Sequence, residues 1–183
     1  METPKSELDK KIAAQESLIQ ELERRLARWK DMHGEASATY IAQKDWIKRE
    51  RVQLIRYHAC RLYSYAETHG EESAMHKAQE ERLHQEEKTL IKFWITLLQD
   101  LERRVCSYRE AYNNKTIYKN RTISYGEMKN QRDWLHQENS SLETLIRLLI
   151  SKTFYHPDTD YTSMQESKEE VSETVGIQLS LFG

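Results

Sequence analysis

The sequence predicts an all-α fold: an elongated coiled coil, folded back as an antiparallel helical hairpin or a three-helix bundle, followed by a flexible C-terminal tail. Three observations lead there. Turn-makers are scarce, with five Gly and two Pro in 183 residues. Only 38% of residues are hydrophobic while 32% are charged, which suits helices that bury a stripe better than a domain with a wide core. Apolar residues also recur at alternating steps of four and three, the period of a coiled-coil seam.

The first helix is expected over about residues 6–69. Ser6 suits an N-cap, and Glu7 and Asp9 place acids in the first turn, where the helix dipole favours them. From Leu8 a seam runs through Ile12, Gln15, Ile19, Leu22, Leu26, Trp29, His33, Ala36 and Tyr40. It loosens after Gly34 and resumes through Trp46, Ile47, Leu54, Ile55, His58 and Leu62. Gly70 offers a left-handed stop. A continuous helix of that length would run about 90 Å.

A second helix is expected over about 71–112, with Leu83, Leu90, Trp94, Leu97, Leu98, Leu101, Val105, Tyr108 and Tyr112 on its apolar face. The stretch from Leu90 to Leu98 is apolar on more than one side, which implies that more than two helices meet there. Residues 113–124 break the pattern and form either a small β-hairpin around Asn120 or an irregular loop. A third helix over about 125–152 carries Met128, Leu135, Leu142, Leu145, Ile146 and Leu149, and Pro157 forbids its continuation.

The body is thus residues 1–156 and the tail 157–183. A strict seam must find a partner, either the second helix of the same chain or the same helix of another copy, so self-association into a dimer or higher oligomer is expected.

Net charge of −2 gives no bulk attraction to nucleic acid or anionic membrane. The tail is the acidic part, with Asp158, Asp160, Glu166, Glu169, Glu170 and Glu173 against Lys168. Two cysteines within helical patterns, and no run approaching a signal peptide or membrane span, lead to the expectation of a cytoplasmic protein with reduced thiols. Phosphate-cradling loops, nucleophile elbows and zinc-finger spacings are missing, so no catalytic residue, metal or cofactor is expected. Glu81 with His84, and Asp133 with His136, share the carboxylate-x-x-His spacing of di-metal bundles, with Glu50 and Glu67 as the remaining acids, but solvated helix faces account for them. Lys44, Lys48, Arg49, Arg51 and Arg56 form a basic ridge with Trp46 and Tyr57 interleaved. Such a ridge either lies along nucleic-acid phosphates without reading sequence or pairs with neighbouring acids.

The specific signal is in the tail. Gln178, Leu179, Ser180, Leu181 and Phe182 resemble the pentapeptide by which many bacterial replication and repair proteins bind the β sliding clamp, of the form Gln-Leu-(Ser or Asp)-Leu-Phe. The resemblance covers five residues, and every position matches. It implies that Leu181 and Phe182 enter an apolar pocket of the clamp, that Leu179 adds contact, and that the Gln178 amide hydrogen-bonds at the pocket edge. It also implies a bacterial, phage or mobile-element origin. The expectation is a non-enzymatic coiled-coil protein tethered to the clamp as accessory, recruiter or inhibitor in DNA replication or repair. The alternative is a structural or adaptor coiled coil of a secretion or cytoskeletal assembly, its tail docked on its own body.

Overall fold

The computed structural model describes residues 6–35, 37–115 and 121–150. They form four helices: α1 Glu7–His33, α2 Ala38–His69, α3 Ala74–Asn113 and α4 Tyr125–Ile150. The all-α class read from the heptad period is the class observed. The described residues up to Arg147 belong to one compact unit. Among the described residues no helix is long and apolar enough to cross a membrane.

The start of α1 is a capping box. Ser6 Oγ accepts from the Asp9 N–H at 3.1 Å, and the Asp9 carboxylate accepts from the Ser6 N–H at 3.3 Å, so two N–H groups that the helix cannot satisfy find partners. Ser124 and Glu127 repeat the device at the start of α4, at 3.2 and 2.8 Å.

The continuous helix expected over residues 6–69 is two helices. Gly34 stands at φ 77° and ψ 158°, a region closed to almost every side chain, and its N–H bonds to the Lys30 carbonyl at 2.9 Å. Ser37 then caps α2, its hydroxyl accepting from the Tyr40 N–H at 3.2 Å. The turn into α3 is built the same way. Gly70 sits at φ 79° and ψ 153°, its N–H bonds to the Ala66 carbonyl at 3.0 Å, and Ser73 accepts from the His76 N–H at 3.1 Å. Both turns carry His-Gly-Glu-x-Ser-Ala, from His33 to Ala38 and from His69 to Ala74.

Such short turns make successive helices antiparallel. Between α1 and α2, Gln15 meets Glu50 and Asp9 meets Arg61; between α2 and α3, Lys44 meets Asp100 and Arg61 meets Gln79. α4 runs back along α3, with Gln131 on Arg104 at 2.7 Å and Glu138 on Trp94 at 3.0 Å. α1 and α3 are therefore parallel, and they touch at the rim through Glu16 with Arg82 at 2.7 Å, while Glu35 of the α1–α2 turn meets Arg103 at 2.8 Å.

The seam of α1 finds its partner inside the chain: Ile12 and Ile19 pack on Leu54, with Leu8 and Tyr57 at the margin. Gln15, Leu22 and Leu26 are buried with them, whereas His33, expected on the seam, is exposed and lies beside the Trp29 ring. α2 packs along both α1 and α3, which is why its buried residues spread around the helix, from Ile41 and Ile47 to Leu54 and Ile55. Leu83, Leu90, Leu97 and Leu101 make the facing ridge of α3. Tyr108, Ala111, Ile123 and Met128 pack together where α3 ends and α4 begins. The central part of the expected hairpin or loop, residues 116–120, and the expected tail lie outside the described residues.

Candidate functional site

The described residues gather their chemistry in a polar seam inside the bundle. Its centre is Lys48, 1% exposed at the side chain. The ammonium is 2.5 Å from Asp45 Oδ1 and 2.5 Å from Glu138 Oε2, and it lies 4.6 Å from the centre of the Trp94 ring. The Trp94 indole N–H donates to the same Glu138 oxygen at 3.0 Å. Burial alone would make Lys48 easier to deprotonate, but the Asp45 and Glu138 carboxylates outweigh it and hold the amine above its ordinary value. Lys48 is thus a fixed cation with no free lone pair, so it is not poised as a base or nucleophile.

One helical turn earlier, Lys44 donates to Asp100 and, at 3.0 Å, to Thr96 Oγ1, with the Tyr40 and Phe93 rings beside it. Asp100 also takes Arg103, Arg103 reaches Glu35, and Glu35 reaches Lys30 at 2.6 Å. Charge is thereby passed in alternating sign from the interior to the rim. The Lys30 ammonium and the Arg103 guanidinium beside Glu35 hold its carboxyl below the usual carboxylate range.

Towards the α2–α3 turn, His58 is fully buried. Its Nδ1 faces the Gln79 amide nitrogen at 3.1 Å and the Arg61 guanidinium at 3.4 Å, and since both of those groups only donate, the ring proton belongs on Nε2. Nε2 is buried without a hydrogen-bond partner, 4.0 Å from Glu16 Oε1. Burial first, and then the positive charges of Arg61 and Arg82, push the imidazole down to about 4.

The basic ridge expected on α2 is therefore corrected. Lys44 and Lys48 point inward and are spent on Asp100, Asp45 and Glu138. Arg51 is largely buried between Glu23 and Glu86, Arg56 is half-buried beside Gln53, and Arg49, the most open, pairs with Asp45 at 3.1 Å. A phosphate backbone cannot reach a charge already desolvated in an ion pair, so Lys44, Lys48 and Arg51 are withdrawn from any surface for nucleic acid.

The signal that would have shown this is the period. Tyr40, Lys44, Ile47, Arg51, Leu54 and His58 step by four and three along one face. The acids that complete the seam, Asp100 and Glu138, lie 56 and 90 residues from their lysines and carry no local signature.

The acid–histidine pairs behave as helix decoration. His84 Nδ1 meets Glu87 at 2.9 Å, Glu81 accepts from Gln85 at 2.7 Å, and Asp133 lies beside Arg132. Among the described residues no group of three His, Cys, Asp or Glu side chains is arranged to hold a metal ion. Gln178, Leu179, Ser180, Leu181 and Phe182 lie outside the described residues. Comparison with protein-family models, with curated proteins and with solved structures gave no match.

Proposed function

We propose that this chain is a non-enzymatic helical protein of the cytoplasm that binds the bacterial DNA polymerase sliding clamp through Gln178–Phe182, and that it acts on DNA replication or repair as an accessory, a recruiter or an inhibitor. One observation carries the reading: all five residues of Gln-Leu-Ser-Leu-Phe match the clamp-binding pentapeptide. The preceding segment supports it. From Asp158 to Glu173 it is acidic and polar, with too little apolar content to build a core, so it serves as a tether. The body contributes a folded anchor whose buried charges are matched to one another.

The affinity would rest on Leu181 and Phe182, because apolar anchors that fill a pocket dominate peptide recognition, with Gln178 setting orientation. Binding of purified bacterial clamp is measured on the intact chain, on a chain lacking residues 177–183, and on Leu181→Ala with Phe182→Ala. Truncation should abolish binding, and the double substitution should weaken it by about a hundredfold or more. An intact chain that does not bind, or a truncated chain that binds equally well, rules the reading out.

A further inference from the structure

Beside its buried ridge, α3 carries a second stripe that faces outward. Lys88, Ile91, Ile95, Leu98 and Glu102 follow one another at steps of three, four, three and four, so they share one helix face about 21 Å long. Ile95 is 43% exposed, Ile91 and Leu98 are half-buried, and Lys88 and Glu102 are exposed. Ile91, Ile95 and Leu98 thus form a contiguous apolar strip flanked by a lysine at one end and a glutamate at the other.

The stripe is self-complementary. Turned end for end about Ile95, it places Ile95 on Ile95 of a second copy, Ile91 on Leu98, and Lys88 on Glu102. The last pairing occurs twice by symmetry, as a two-fold interface requires. Neither Lys88 nor Glu102 has an ion-pair partner among the described residues, so both charges are available. In a parallel arrangement Lys88 would face Lys88, and Glu102 would face Glu102. The acidic segment from Asp158 to Glu173 suits only one end of the stripe, since Glu102 would repel it.

We propose that this stripe is a self-association surface on which two copies of the chain pair antiparallel about Ile95. The inference stands on α3 alone and does not depend on clamp binding. Its area is small against that of a stable dimer, so the association is a weak one, with a dissociation constant on the order of 10 µM or above.

Sedimentation of the full-length chain over a range of concentrations tests it. The mass should rise towards twice the monomer as concentration increases, and Ile95→Asp should hold the chain monomeric. Lys88→Glu sets Glu against Glu102 of the other copy, and Glu102→Lys sets Lys against Lys88, so each should weaken association by about tenfold. The two changes together restore both attractive pairs and should bring association back. These positions are exposed, so circular dichroism should show an unchanged fold in the charge variants. A chain that stays monomeric at every concentration overturns the proposal. So does a dimer indifferent to the single swaps, or one that the double swap fails to rescue.

Discussion

Placing an ammonium group in a leucine-rich interior is favourable only when its counter-charges are buried with it. Lys48 meets that condition through Asp45 and Glu138, and loss of the lysine leaves the buried Glu138 carboxylate without a cation. Lys48→Ala should destabilise the fold by about 3–5 kcal/mol in urea titration. Lys48→Met combined with Glu138→Leu should recover most of that loss, because the lone buried carboxylate, rather than the missing methylenes, is the main penalty. His58 makes the opposite case, a buried ring kept neutral. Its folded value of about 4 lies below the ordinary 6.5 that it regains on unfolding, so the unfolded chain binds the extra proton first as pH drops. Stability from this residue is complete above pH 6.5 and drains away as pH falls towards about 4, by at most about 1.4 kcal/mol per pH unit. Thermal melting in that window should show the decline in the native chain and a shallower one in His58→Gln. Both residues were visible in the sequence, but their roles were not equally legible. His58 lay on the expected seam, whereas Lys44 and Lys48 read as surface because lysine is rarely buried and their acids come from other helices.

The two turns show what a short signal can do at the scale of a whole helix. His-Gly-Glu-x-Ser-Ala supplies, in order, a glycine able to take a backbone shape forbidden to others and a serine to start the next helix. At Gly70 that signal was legible as a stop. At Gly34 it was overridden by the apolar seam, which continues at heptad spacing through Ala36 and Tyr40 and so mimics an unbroken helix. Setting the two hexapeptides side by side would have divided α1 from α2. Gly34→Ala and Gly70→Ala should each lower stability by about 1–3 kcal/mol, seen as a reduced unfolding temperature. A Cβ at either site would meet nothing within 4 Å, so the loss would come from backbone strain alone. The turns sit at opposite ends of α2, and the two losses should therefore add.

At the scale of the whole chain, the fold class was legible because a period of three and four residues repeats for tens of residues and few glycines or prolines interrupt it. The apolar stretch from Leu90 to Leu98 divides between two faces: Leu90, Trp94 and Leu97 are buried, whereas Ile91 and Leu98 are half-buried and Ile95 is exposed. The number of helices and the closing of α1 against α2 depended on a single glycine, and the composition of the interior on pairings across the chain. The clamp-binding reading rests on a linear peptide, which sequence displays in full. It carries a further expectation: a chain without residues 177–183 should lose the clamp yet melt at the same temperature. A fall of several degrees would instead mark the peptide as a clasp on its own body.

The seam of Lys44 and Lys48 also limits how the helices can move past one another. Sliding α2 along its neighbours by one turn, about 5.4 Å, would carry the Lys44 ammonium off Asp100 and the Lys48 ammonium off Glu138. An all-aliphatic bundle creeps under load, exchanging equivalent contacts. This one is keyed: pulled along its helices it would hold its register until the Lys44–Asp100 and Lys48–Glu138 pairs shear, a brittle joint in place of a viscous one.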